Sequence, residues 1–72
     1  MDIDVFQDGS YITTFYDVDD TARGIHCFLC RFCEGEGYTI TDDMSCILRE
    51  AAEEFLSDGT IDLCSYILKI SD

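Results

Sequence analysis

The stretch "DIDVFQDGSYITTFYDV", residues 2–18, decides the class of fold. Asp8-Gly9 is the signal of a two-residue type I′ turn, in which both central residues take positive φ, and alternating apolar runs flank it. A tight hairpin about this turn pairs Phe6 with Tyr11, Val5 with Ile12, Asp4 with Thr13 and Asp2 with Phe15. In that register Ile3, Val5, Ile12, Thr14 and Tyr16 face a core. The opposite face carries Asp2, Asp4, Phe6, Tyr11, Thr13, Phe15 and Asp17, acids and aromatics together. Residues two apart on a strand lie about 6.7 Å from each other, so these acids are expected to form an ordered row.

Two helices follow in the pattern. Asp19 or Asp20 of "DVDD" can cap the first and set negative charge at the positive end of its dipole. Ile25, Phe28, Leu29 and Phe32 recur at i, i+3, i+4 and i+7, an apolar helical stripe. The glycines of "EGEGYTIT" end it, and Tyr38-Thr39-Ile40 is expected as a very short strand. The second helix has Thr41 as its cap and Asp42 and Asp43 in its first turn. Met44, Ile47, Leu48, Ala51 and Phe55 form its stripe, Glu50, Glu53 and Glu54 face away, and "SDG" stops it. The last segment, "TIDLCSYILKISD", fits a strand or a helix with apolar residues on both sides. The expected class is α+β: an N-terminal β-hairpin packed on two or three helices, a C-terminal strand or helix, one domain over residues 1–72.

Composition narrows the function. The chain has 72 residues, near the lower limit at which one core sustains a fold. Hydrophobic residues make up 47%, which is globular rather than a disordered acidic tail. Against four Lys and Arg stand 16 Asp and Glu, a net charge of -12. Self-repulsion on that scale opposes direct binding to nucleic acid or to an anionic membrane and favours a basic partner. The start has no basic or apolar leader segment, and no apolar run approaches the ~18 residues of a membrane span. The expected setting is the cytoplasm, where the five cysteines stay reduced; their odd number also fits a closed disulfide framework poorly.

The stretch "HCFLCRFC", residues 26–33, invites a chemical reading. On a helix His26, Cys30 and Cys33 share a flank, and Cys46 or Cys64 could supply a fourth zinc ligand. Structural zinc sites, however, place Cys-x-x-Cys on a turn that wraps the metal and follow it with a second ligand pair. A thioredoxin-like role for Cys27 and Cys30 lacks a helix-start position that would lower a thiol pKa. The bland reading, cysteine as a small core hydrophobe, is the stronger one, with Cys46 left on a polar face. Calcium binding at Asp17 and Asp19 fails because Ala22 stands where the loop needs glycine. One histidine and no phosphate loop assemble no active site. The expectation is a protein without catalysis, cofactor or resident metal.

Charge is what remains. A globule of this length has a radius of gyration of roughly 11 Å and a diameter of about 29 Å. Duplex DNA carries about 17 phosphates over that length. In size, acidity and compactness the chain resembles the small inhibitors made by bacteriophages: DNA-mimicking anti-restriction proteins, uracil-DNA glycosylase inhibitors and anti-CRISPR proteins. No motif carries this resemblance, so it assigns no residue. It implies occlusion of the basic nucleic-acid-binding surface of a host protein or complex, such as a CRISPR effector, by a monomer or dimer. The alternatives are an acidic adaptor or antitoxin-like binder of another basic partner, a homo-oligomeric structural protein, and a small zinc-binding protein. The candidate contact face is Asp2, Asp4, Asp17, Asp19 and Asp20 with Phe6, Tyr11 and Phe15, and the second candidate is Glu50, Glu53 and Glu54.

Overall fold

Alternation and turn chemistry build the sheet first. In the computed structural model, which describes residues 1–71, Ile3–Gln7 (β1) and Ser10–Phe15 (β2) form the expected hairpin. Asp8 at φ 53° and Gly9 at φ 80° make its turn. The helices are Ala22–Gly35 (α1) and Asp42–Asp58 (α2). The ambiguous C-terminal segment is a second hairpin, Thr60–Leu63 (β3) and Tyr66–Ile70 (β4), so there is no third helix. Its turn uses Cys64 at φ 53° and Ser65 at φ 71°, a geometry usually given to Gly or Asn. The strand order is β2-β1-β4-β3, every pair antiparallel.

The hairpin register differs from the expected one beyond its first pair. Phe6 opposes Tyr11 as expected, but the register then shifts, so that Val5 meets Thr13, Asp4 meets Thr14 and Ile3 meets Phe15. Ile12 is the extra residue of a bulge, and a one-residue slip turns every later side chain to the other face. Thr14 and Phe15 thereby exchange roles. Thr14 joins Asp4 on the outer face and donates to its carboxylate at 2.6 Å. Phe15 turns to the helices, its ring 5.1 Å from that of Phe28. Ile12 and Tyr16, expected in the core, are 50% and 71% exposed.

Thr21 rather than Asp19 or Asp20 caps α1, accepting from the Gly24 N–H at 3.0 Å. Asp19 acts one step earlier and accepts from the Thr21 N–H at 3.1 Å. Residues 38–40 form no strand. They continue a helix end in which Gly37 has φ 94° and the Tyr38 N–H reaches the Cys33 carbonyl at 3.1 Å. Thr41 caps α2 as expected, and Gly59, left-handed at φ 78°, ends it.

The core lies between the helices and one face of the sheet. Ile3, Val5 and Leu68 meet Ile25, Leu29 and Cys33 of α1 and Leu48, Ala52 and Phe55 of α2, all buried. The buried line of α1 is therefore Ile25-Leu29-Cys33, with Phe28 and Phe32 on its hairpin side. Ile47, expected in the core of α2, is 65% exposed, and Ala52 takes the buried position. Among the described residues no helix is long and apolar enough to cross a membrane.

One close approach governs how the hairpin enters α1. A Cβ added at Gly24 would lie 2.5 Å from the Asp19 Cβ and 2.7 Å from its carbonyl oxygen, whereas one at Gly35 would meet nothing within 4 Å. Gly24→Ala is expected to cost about 1–3 kcal/mol, the usual range for overpacking. Gly35→Ala, in the last turn of α1, is expected to be neutral or to stabilise by up to ~1 kcal/mol. Urea denaturation of both variants checks this, and equal stability of the two would show that the loop does not pack on Gly24.

Candidate functional site

The outer face of the sheet is uncovered by the helices. The registers place Asp4 and Phe6 of β1, Tyr11 and Thr14 of β2, Ile67 and Lys69 of β4, and Asp62 of β3 on it. Because Thr14 gives its proton to Asp4, the Tyr11 hydroxyl must donate to Thr14, at 2.7 Å. The Asp4 carboxylate is thus the acceptor end of a two-hydroxyl relay. Phe6 packs edge-on to Tyr11, centroids 5.9 Å apart, and the Lys69 ammonium stands 5.2 Å above the Phe6 ring. That placement suits a cation–π contact and puts one positive charge across from Asp4.

Of the expected contact face, Asp4, Phe6 and Tyr11 stay together. Phe15 departs with the bulge to the helix side, in a row of edge contacts running Phe28, Phe15, Phe32 and Tyr66. A groove of about 390 Å³ opens along this row, between Arg31 and Glu36. Glu36 accepts the Tyr66 hydroxyl proton, which holds that phenol above its ordinary pKa and ties the end of α1 to β4. Asp2 is half-buried, and its carboxylate accepts from the Asp17 N–H at 3.3 Å. Asp17 and Asp19 line a second groove of about 510 Å³ with Tyr16 and Phe28, and Asp20 is exposed beside them. Glu50, Glu53 and Glu54 are exposed on α2, and Glu53 faces Arg23, His26 and Arg49 across a shallow cleft.

The basic residues do not gather at one point. Arg23 and Arg49 share that cleft, Arg23 and Arg31 both border the groove of Asp17 and Asp19, and Lys69 is on the outer face of the sheet. By contrast every described acidic residue except Asp2 and Asp4 is exposed.

The sulfur cluster splits into separate environments. Cys27 and Cys46 are exposed. His26 Nε2 is 3.0 Å from the Ser45 carbonyl and 3.2 Å from the Ser45 hydroxyl, so Ser45 occupies this nitrogen. Cys30 Sγ lies further off at 3.5 Å, and burial pushes that thiol's pKa up instead of down. Cys33 turns from this pair into the core, its sulfur 3.5 Å from that of Cys64. The suggested zinc set of His26, Cys30, Cys33 and Cys46 is therefore divided between different places. Among the described residues no three His, Cys, Asp or Glu side chains converge as metal ligands would.

Comparison with protein-family models, curated proteins and solved structures finds no match for this chain.

The thiols yield a prediction in two parts. Maleimide should modify Cys27 and Cys46 before Cys30, Cys64 and Cys33, as read by peptide mass mapping. Burial first, and then the hydrogen bond with Cys64, push the Cys33 thiol up to about 12 from 9.0. Above pH 9 the unfolded chain would lose this proton while the folded chain keeps it. Stability from this group is thus complete below pH 9 and is lost as pH rises from about 9 to about 12. Urea midpoints between pH 8 and 10.5 should fall more steeply for the wild type than for Cys33→Ala; parallel slopes would refute the assignment.

Proposed function

We propose that this protein is a non-catalytic, cytoplasmic inhibitor that binds a basic nucleic-acid-binding protein and occludes the surface its nucleic acid would use. The observation that carries this reading is the display of the acids. With all but Asp2 and Asp4 of the described carboxylates exposed, a net charge of -12 covers a body measuring 30 × 24 × 19 Å. Duplex DNA presents about 18 phosphates along 30 Å of its axis. A chain of 16 carboxylates supplies a comparable charge over a comparable length. Long-range attraction of that size steers encounter, and central aromatics then supply much of the contact energy.

The face proposed to make contact is the hairpin and the loop into α1. There Asp17, Asp19 and Asp20 adjoin exposed Tyr16, and Asp4, Phe6 and Tyr11 continue onto the outer sheet face. Glu53 of α2 shares its cleft with Arg23 and Arg49, and Arg23 and Arg31 border the groove of Asp17 and Asp19. What sets the hairpin side apart is the Tyr16 and Phe28 rings in that groove, since no Phe or Tyr among the described residues borders the Glu53 cleft. A CRISPR effector is one complex with a basic channel of the required kind, and a restriction enzyme is another.

Binding should depend steeply on salt, weakening at least tenfold between roughly 50 and 300 mM, because screening shortens over that range. The partner's cognate DNA or RNA should displace the protein in a competition titration; simultaneous binding would instead indicate an adaptor. Asp17→Asn/Asp20→Lys should weaken binding more than Glu50→Lys/Glu53→Lys/Glu54→Lys, each variant first checked for folding by circular dichroism. The opposite order would move the contact face to α2.

A further inference from the structure

Cys33 and Cys64 come from distant parts of the chain, 31 residues apart, yet their sulfurs approach to 3.5 Å. Cys33 lies in the last turns of α1 and is fully buried. Cys64 opens the turn between β3 and β4, is half-buried, and borders a surface groove beside Ser65 and Tyr66. The other thiols lack such a partner: Cys27 and Cys46 face solvent and Cys30 lies against His26. A disulfide needs its sulfurs about 2.05 Å apart, so this pair is about 1.5 Å from bonding distance.

We propose that Cys33 and Cys64 are a modification site at which a reversible disulfide staples the C-terminal end of α1 to the β3–β4 turn. The co-reactant is a low-molecular-weight disulfide such as oxidised glutathione. The Cys64 thiolate attacks one sulfur of that disulfide; its S–S bond breaks and one small thiolate leaves. Cys33 then gives up its proton and attacks Cys64 Sγ, and the second small thiolate leaves. Two protein thiols are oxidised by two electrons, and one small disulfide is reduced to two thiols.

The crosslink closes a loop containing all of α2 and β3. Closing a loop of this size restricts the unfolded chain, so the melting temperature should rise by at least about 10 °C, and reductant should reverse the rise. The test incubates the reduced full chain with oxidised glutathione, quenches in acid, and then unfolds the chain in denaturant at neutral pH so that maleimide reaches every free thiol for intact-mass and peptide analysis. The expected product has lost two hydrogens, takes three maleimides in place of five, and yields a linked peptide joining Cys33 to Cys64. Cys64→Ala, which trims one half-buried side chain, should leave Cys33 reduced and take all of its four remaining thiols to maleimide. Five maleimides on the treated wild type, a link between any other two cysteines, or a lasting glutathione adduct on Cys64 would each overturn the proposal. A Cys33–Cys64 link that fails to raise the melting temperature would overturn the staple.

Discussion

The antiparallel pairing of β1 with β4 is the constraint on which the other elements depend. Without it the chain holds two separate hairpins, and isolated two-stranded hairpins are marginal in water. With it, Val5 stands beside Leu68 and Ile3 beside Ile70, giving the helices one continuous apolar floor. The two ends of the chain reinforce this seam: the Ser71 N–H donates to the Asp2 carbonyl at 3.0 Å, while on the other side of β4 the Ile70 N–H donates to the Gly59 carbonyl at 2.9 Å and extends the β3–β4 ladder. Met1 and Val18 exchange two further bonds, each 2.8 Å, beside the start of β1. Contacts between the first and last strands are the costliest to close in loop entropy, so the seam is expected to form late in folding.

Local chemistry was legible wherever one residue type dominates a local choice. Asp8-Gly9 marked the first turn, Thr41 the start of α2 and Gly59 its end, and the structure has all three. Cys64-Ser65 was hidden because the turn places both residues at positive φ without the glycine that advertises such a turn. Ile12 was hidden for a related reason. A bulge with no Gly in it leaves an apolar alternation that reads as an unbroken strand, and only the tertiary demand for Phe15 against Phe28 and Phe32 selects the slip. Ile47 and Ala52 exchanged places because the helical stripe of α2 is wider than the surface it packs on. The line that α2 buries is Leu48-Ala52-Phe55, which leaves Ile47 outside it.

The candidate face was legible in its parts and misread in its assembly. Asp4, Phe6 and Tyr11 lie before the bulge in register and kept their common side. Phe15 lies after it and did not. That single exchange has a chemical consequence, because it replaces a third aromatic on the outer face with Thr14, whose hydroxyl links Tyr11 to Asp4. The outer face thus gains a fixed acceptor, and the helix side gains a row of rings. The thiol pair at Cys33 and Cys64 had no local signal at all, since its members stand 31 residues apart in the chain.

Charge and fold act over different distances here, and this links stability to binding. The core is held by contacts of a few ångströms, whereas the repulsion among the carboxylates extends over a Debye length, about 8 Å at physiological salt. Local arrangement relieves some of it: Asp42 and Asp43 sit in the first turn of α2, where the helix dipole favours negative charge, and Lys69 stands across from Asp4. The remaining repulsion is a property of the free protein that a basic surface would remove on contact. Added salt therefore has two opposite effects: it screens the repulsion and steadies the free fold, and it weakens the attraction to a basic partner. A small acidic chain built this way is least at ease alone in dilute buffer, and under the proposed function the same unneutralised charge would direct it to a positive groove.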